Sequence, residues 1–293
     1  NRYLRFSGAS VVFVENITDI DDPLLERANR DGIDWQDLAH SQIELFRGDM
    51  VALHIIPPDA YIGVIEAMEI IIQSIQRLQD KGSLYNLDGD LYFEVRRDPD
   101  FLHRSHLSLE RAMQYFSERG GDPNREGKRD PLDALVWRSQ RPGEPGWPSP
   151  FGVGRPGWHI ECSAIALHFL QPEETDHFAI DIQGGGSDLI FPHHDMSAAQ
   201  GLIATDQKFA QFYVQSILNE KNREKKSYEF ILCPSENQLR EIDGSSNMLH
   251  YLCPADIELC SLLKYCQSKG QFLVKCCKDI DLYVGLKIGR AHV

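Results

Sequence analysis

Apolar residues follow two different periods along this chain, and each period predicts one kind of element. Residues 10–15 (SVVFVE) are β-branched and aromatic, which predicts a short buried parallel strand. Five apolar residues within 61–80 stand at helical spacing: Val64, Met68, Ile71, Ile75 and Leu78. They predict an amphipathic helix.

Similar reasoning places further elements. Asp34 can cap a helix from Trp35 to about Phe46, and residues 158–168 form a second helical stretch. Residues 91–95 and 178–182 predict strands. Because strands alternate with helices, we expect an α/β fold with a mostly parallel sheet.

Two stretches lack a clear period. Residues 117–157 are rich in Gly, Pro, Arg and Asp, so we predict a long irregular surface segment there. Residues 184–186 are three consecutive glycines, which predict a tight loop after the 178–182 strand.

Composition narrows the class of protein. Of 293 residues, 25% are charged and 42% hydrophobic, as in ordinary globular proteins. We expect no membrane segment, because the longest apolar run, around 70–72, is broken by Glu69 and Gln73. The net charge of -14 weighs mildly against nucleic-acid binding, although a local basic face is compatible with it.

Cysteines are distributed unevenly. Cys162 is the one cysteine before residue 230, and six follow it, whereas all four Trp lie at or before Trp158. A lone cysteine in the main body favours a reducing compartment, and we expect the cytoplasm. We predict a catalytic domain over 1–214 and a tail over 215–293 that makes few long-range contacts. The tail would be a frameshift or read-through product, and the alternative is a small cysteine-rich metal domain.

Several residues are candidates for chemistry. Cys162 and His193 are a thiolate and an imidazole suited to zinc, and the alternative is a buried structural cysteine with a surface histidine. Asn16 and Thr18 follow a strand, where α/β sheets bind ligands, or else they cap the next helix. Trp158 could equally belong to the core.

Taken together, three motifs favour the functional interpretation of these residues over the alternatives. In order along the chain they are NITDIDD at 16–22, GRPGWHIECSAIA at 154–166 and DIQGGGSDLIFPHH at 181–194. Together they resemble the cysteinyl-tRNA synthetase superfamily over roughly residues 1–214. The resemblance implies a Rossmann-like class I aminoacyl-tRNA synthetase catalytic domain.

Within that superfamily, the chain resembles the branch that joins cysteine to glucosaminyl-inositol in mycothiol biosynthesis. The segments RDGIDW at 30–35 and PLDALVWR at 131–138 belong to this likeness. Gln183 and Ser197 stand where the tRNA enzymes commonly have histidine and a zinc-binding glutamate. The most specific feature is the ERGGDP segment, residues Glu118, Arg119, Gly120, Gly121, Asp122 and Pro123.

The resemblance implies a reaction and its participants. L-Cysteine would be adenylated by ATP, with Mg²⁺, and then passed to an amino-sugar acceptor. Zn²⁺, held by Cys162, His193 and a further cysteine, would select the substrate thiol over serine. The residues implied in binding substrate or adenylate are Asn16, Ile17, Thr18, Trp158, Gly186, Ser187 and Asp188.

The chain also departs from the family. The HIGH-type motif and the further zinc cysteine would precede residue 10, and neither is present, so we expect a chain lacking both ends of the enzyme. Lys225, Lys226 and Ser227 are at best a remnant of the KMSKS-type loop, and a solvated charge run explains them equally well. No catalytic residue is therefore assignable. The alternatives are a cysteine–tRNA ligase, with tRNA as partner, and an inactive fragment that retains the fold.

Overall fold

The computed structural model describes residues 1–6, 8–170, 177–218, 228–234 and 271–278. Its helices are α1 Arg2–Phe6, α2 Asp22–Asp31, α3 Trp35–Ala52, α4 Met68–Asp80, α5 Leu109–Glu118, α6 Trp158–Leu170 and α7 Asp195–Thr205. Its strands are β1 Ser10–Ile17, β2 Ala60–Gly63, β3 Leu84–Leu87, β4 Asp90–Phe93, β5 Ala134–Ser139, β6 Gly154–Pro156, β7 Phe178–Gly186, β8 Lys208–Leu218, β9 Tyr228–Pro234 and β10 Gln271–Lys278. In the part of the chain thus described, no helix combines the length and apolar character needed to cross a membrane.

The larger sheet confirms the predicted α/β architecture. Among the described strands, six form this sheet in the order β2-β1-β10-β7-β8-β9. Every neighbouring pair is parallel except β8 and β9, which are antiparallel. Parallel strands place their carboxyl ends at one edge, where open α/β sheets bind their ligands.

A second sheet corrects the prediction of an irregular segment over 117–157. Strands β3-β4-β5-β6 form a four-stranded antiparallel sheet within the described residues, and β5 and β6 fall inside that segment. The β3–β4 hairpin turns at Asp88 and Gly89, which both have positive φ, as a two-residue Asp-Gly turn requires. The prediction failed because antiparallel pairing joins residues far apart in sequence, which local periodicity cannot reveal.

Helix α6 lies in the centre of the molecule. Its residues from His159 to Leu167 are all buried. It packs against α4 and α7, and against strands of both sheets. Helix α4 contributes Ile71, Ile75 and Leu78 to the same apolar core, which confirms its amphipathic pattern. One core thus joins the two sheets.

Element bounds differ from prediction in three places. Helix α4 begins at Met68, because residues 60–63 form β2 instead. Helix α3 is capped by the Asp34 carboxylate as predicted, yet it continues to Ala52. Strand β7 runs through Gly186, so the three glycines extend a strand rather than forming a tight loop.

Residues beyond 214 pair with the body of the domain. Strand β8 continues to Leu218, β9 pairs with it, and the backbone of β10 lies between β1 and β7. This pairing differs from the expectation that the tail makes few long-range contacts. Lys225, Lys226 and Ser227 lie outside the described residues, and the origin of the tail stays a prediction.

Gly157 allows the backbone before α6 to approach β5 closely. Its amide donates to the carbonyl oxygen of Val136 at 3.1 Å, and a Cβ on Gly157 would lie 2.0 Å from the carbonyl oxygen of Leu135. No side chain fits there, because the neighbouring atoms are backbone. The glycine before Trp158 therefore fixes where α6 begins.

We predict that Gly157→Ala lowers the free energy of unfolding by about 2–3 kcal/mol, since the added methyl group displaces paired backbone. Gly48→Ala is the matched control. Gly48 lies exposed within α3 with open space around it, so alanine there should raise the free energy of unfolding by about 0.5–1 kcal/mol. Urea unfolding followed by circular dichroism measures both variants. Equal stability of the two would contradict the close approach.

Candidate functional site

The predicted ligand-binding residues meet at the carboxyl edge of the larger sheet. Strand β1 ends in Asn16 and Ile17, and β7 ends at Gly186. Strand β10 lies between them, and its register with both strands places Glu15 level with Gly184. The residues that follow, 16–18 and 185–188, therefore leave the sheet at the same edge. We call residues 16–18 and 184–188 the carboxyl edge. Asn16, Ile17 and Thr18 are buried there.

Asn16 contacts the predicted zinc cysteine directly. Its Nδ2 donates to Sγ of Cys162 at 3.1 Å, and both side chains are 1% exposed. Its Oδ1 makes no hydrogen bond within the described residues. Asn16 and Thr18 do not cap α2, because the Asp21 side chain accepts from the amide of Leu24 and performs that function. The capping alternative is therefore wrong.

Trp158 brings the two predicted metal ligands to one place. Cys162 follows Trp158 by four residues on α6, so the two side chains share a face of the helix, and they pack together. The Trp158 ring also stacks on the His193 ring, with centroids 4.5 Å apart. Cys162 and His193 are thus both buried against the same half-buried indole.

The His193 ring contacts His159, to which Ser197 is bonded in turn. Nδ1 of His159 lies 3.0 Å from Nδ1 of His193, which is a hydrogen bond between imidazoles. Ser197 is buried one turn along α7, and its hydroxyl donates to the backbone carbonyl of His159 at 3.4 Å. The position where the tRNA enzymes commonly have a zinc-binding glutamate therefore holds a small hydroxyl bonded to backbone.

Close packing explains the glycines of the carboxyl edge. A Cβ on Gly185 would lie 2.8 Å from ring atoms of His194, and one on Gly186 would lie 2.2 Å from Oδ1 of Asp188. Any larger residue would displace these side chains. Gly186, Ser187 and Asp188 are half-buried, so they lie near the surface of the carboxyl edge rather than in the core.

His194 is held between two glutamines. Nε2 of Gln183 lies 3.2 Å from Nε2 of His194, and Nε2 of Gln215 lies 2.8 Å from Nδ1. Gln183, which we singled out as a branch difference, thus contacts the second histidine of the FPHH motif. Gln215 is buried and completes the contact from β8.

Asp195 anchors the FPHH turn to the segment before α5. Its carboxylate accepts from the amide of Leu102 at 3.1 Å, from the Ser105 hydroxyl at 2.8 Å and from Nε of Arg104 at 3.0 Å. Arg104 also pairs with Asp98. Burial raises the pKa of Asp195 above the ordinary aspartate value, and the nearby Arg104 charge opposes this rise.

The ERGGDP segment lies outside the carboxyl edge. Glu118 ends α5 and accepts from Gln114 at 2.8 Å. Arg119 donates to the carbonyl oxygen of Phe191, and Asp122 accepts from Lys128 at 2.9 Å. The segment therefore touches the FPHH turn, which carries His193.

The donor set fits part of a zinc site. Cys162 and His193 supply a thiol and an imidazole in one buried cluster, and both are ligands that zinc prefers. Among the described residues, however, no three His, Cys, Asp or Glu side chains are grouped closely enough to hold a metal ion. Cys162 and His193 as zinc ligands therefore stay a prediction.

A known protein family matches most of this chain. The family described as tRNA synthetases class I (C) catalytic domain matches residues 1–245. The chain belongs to this family. The match continues past residue 214, where the motif resemblance ends, and it includes Gln215 and all of β9.

Three curated relatives of the chain carry the same name. The chain is 54% identical over 217 residues to the L-cysteine:1D-myo-inositol 2-amino-2-deoxy-alpha-D-glucopyranoside ligase of Thermomonospora curvata. The aligned residues cover 74% of this chain and 51% of the relative. The enzyme of that name from Kribbella flavida is 54% identical, over 78% of this chain and 55% of its own length. The one from Frankia alni is 55% identical, over 74% of this chain and 51% of its own length. The chain therefore spans about half the length of the curated relatives it matches.

Several residues of the site were not predicted from the class I motifs. His159 stands inside the WHIEC motif at 158–162, so the motif pointed to it, but its role appears only from its distance to His193. Arg104 and Ser105 lie in a stretch without any recognisable pattern. Gln215 lies beyond the predicted boundary at 214. Arg104, Ser105 and Gln215 are identified only by their contacts in the folded chain.

We predict that Asp195→Asn lowers the free energy of unfolding by about 3–5 kcal/mol, because it removes the charge that compensates buried Arg104. Asp206→Asn is the matched control. Asp206 forms an exposed ion pair with Lys81 and has a positive φ that asparagine tolerates, so its loss should cost less than about 1 kcal/mol. Urea unfolding of each purified variant measures the difference. Similar costs for both would contradict the anchoring role of Asp195.

Proposed function

We propose that this chain forms the cysteine-activating part of an ATP-dependent carbon–nitrogen ligase. L-Cysteine is converted to cysteinyl-adenylate, and the cysteinyl group then passes to the amine of glucosaminyl-inositol, a step of mycothiol biosynthesis. The names of the relatives support this proposal, at 54–55% identity over about three quarters of the chain.

One observation carries the proposal. Cys162 and His193 lie buried against Trp158, beside Asn16 at the carboxyl edge. This cluster is partly aromatic and contains a sulfur and an imidazole, which suits the side chain of cysteine. Its position next to the carboxyl ends of β1 and β7 is where α/β sheets bind nucleotides.

Zinc would select the substrate. Cys162 and His193 would hold the ion, and zinc, when bound, would accept the substrate thiol as thiolate in preference to the serine hydroxyl. A purely apolar pocket discriminates poorly between such isosteres. The amide of Asn16 donates to the Cys162 sulfur and so orients it. A reducing cytoplasm would keep this thiol available.

The nucleotide would lie along the carboxyl edge. Gly186 has no side chain to hinder its approach, and the Asp188 carboxylate can accept hydrogen bonds from hydroxyl or amino groups. A carboxylate oxygen of cysteine attacks the α-phosphorus of ATP, and pyrophosphate leaves. The acceptor amine then attacks the acyl carbon, and AMP leaves. Since the adenylate is already activated, positioning by these residues supplies most of what the protein contributes.

Two positions favour an amino-sugar acceptor over tRNA. Gln183 holds His194, and Ser197 bonds to backbone, so neither provides the histidine or the glutamate that the tRNA enzymes commonly have there. A net charge of -14 also gives tRNA little general attraction. The family description names tRNA synthetases, so cysteine–tRNA ligase is the second candidate.

We predict that Cys162→Ser removes about one bound zinc ion per chain and the cysteine-dependent exchange of pyrophosphate with ATP. Cys260→Ser is the control, because Cys260 lies beyond the family match. This substitution also removes one cysteine and leaves all the others, including Cys162, in place. Zinc is measured by mass spectrometry after gel filtration of the full chain. Equal zinc content in the two variants would refute the metal assignment.

We predict that the full chain, given ATP and labelled cysteine, forms an amide with glucosaminyl-inositol and leaves tRNA uncharged. The two acceptors are offered in separate reactions, after pyrophosphate exchange has established whether cysteine is activated. Charged tRNA without amide product would favour the second candidate. Absence of exchange would identify the chain as inactive, which is the remaining alternative.

A further inference from the structure

The ERGGDP segment has no part in the proposed chemistry, although it is the most specific sequence feature of the chain. It follows α5, which packs against the FPHH turn. Its residues belong neither to the carboxyl edge nor to the cluster around Trp158. A segment so placed can act on the site only through what it touches.

Arg119 makes the contact that reaches the site. Its Nη1 donates to the backbone carbonyl of Phe191, two residues before His193. The guanidinium group also lies 4.8 Å from the centre of the Tyr115 ring, within cation–π range. A charged donor on a carbonyl, stacked on an aromatic ring, is both stronger and more fixed in direction than a neutral hydrogen bond.

The two glycines shape the backbone that presents Arg119. Gly120 has φ of +81°, a conformation that glycine adopts without strain. Gly121 donates to the carbonyl of Phe116 at 2.8 Å, and a Cβ on it would lie 2.4 Å from the Phe116 ring. The chain therefore turns sharply against α5 directly after Arg119.

Asp122 fixes the other end of this turn. Its carboxylate accepts from Lys128 at 2.9 Å and from the hydroxyl of Tyr92. Tyr92 belongs to β4, so the antiparallel sheet holds the segment in place. The contacts of the ERGGDP segment thus leave Arg119 directed at the FPHH turn.

The turn transmits this constraint to His193. Phe191 is buried, in an extended conformation, with its ring 6.2 Å from that of Phe101. Two residues later the His193 ring meets Trp158 and His159. Asp195 anchors the carboxyl side of the turn, and Arg119 holds its amino side. His193 lies between the two attachments.

We propose that Arg119 is a positioning residue for His193, and that the ERGGDP segment exists to present it. The inference deepens the proposed function and, for its kinetic consequence, rests on it. Arg119 touches neither cysteine nor nucleotide. It sets the position of the imidazole against Trp158, and so the fit of the pocket for the cysteine side chain.

The test compares three variants of the full chain. Arg119→Met keeps an unbranched side chain that can pack on Tyr115, and it removes the hydrogen-bond donor. Arg119→Lys keeps the positive charge but replaces the planar guanidinium group with an ammonium group. Arg111→Met is the matched control, because Arg111 lies on the same helix, stacks 5.6 Å from the same Tyr115 ring and bonds to its hydroxyl at 3.1 Å.

Two measurements are made on each variant. Nitrogen–proton spectra of chain labelled at histidine report the His193 ring, which is identified by its loss in His193→Asn. Pyrophosphate exchange gives KM for cysteine and for ATP. Arg119→Met should shift the His193 signals and raise KM for cysteine about tenfold or more, with KM for ATP unchanged. Arg119→Lys should recover part of the loss, and Arg111→Met should resemble the unmodified chain.

Two results would overturn the inference. The first is a His193 spectrum in Arg119→Met identical to that in Arg111→Met. The second is a loss of stability in Arg119→Met with the His193 signals and KM for cysteine unchanged, since that marks a merely structural arginine. If the unmodified chain activates no cysteine, the proposed function fails, and the spectra alone still decide the role of Arg119.

Discussion

Burial of α6 on nearly every side is the constraint on which the site depends. A helix with so little exposed surface must match its neighbours on nearly every side, and a close-packed interior resists any rotation or shift. Trp158 and Cys162 project from its first turns, and Gly157 fixes where it starts by its approach to β5. Both sheets therefore determine where the indole and the thiol stand relative to the carboxyl edge.

Sequence alone could predict the parts that depend on local pattern. Strand β1, helix α6 and the body of β7 are predictable because they are short, largely apolar segments that lie next to recognisable motifs. The candidate residues at the carboxyl edge followed from the same motifs. Nothing local predicts that Arg104 pairs with Asp195, because the two are far apart in sequence and meet only in the folded chain.

The region beyond residue 214 shows why composition is a poor guide to packing. An excess of cysteine and a lack of Trp suggested a foreign tail, yet Gln215 is buried against His194 and the backbone of β10 pairs on both sides. Backbone hydrogen bonding is nearly independent of side-chain identity, so a strand can occupy the middle of a sheet whatever its cysteine content. Pairing of this kind does not establish how the segment arose.

The bond between His159 and His193 has a consequence for proton counting. Each Nδ1 faces the other at 3.0 Å, so one proton serves both nitrogens, and a second would set two donors against each other. When Nδ1 of His193 carries that shared proton, Nδ1 of His159 accepts it, and neutral His159 carries its own proton on Nε2. The tautomer of one imidazole thus dictates the tautomer of its neighbour.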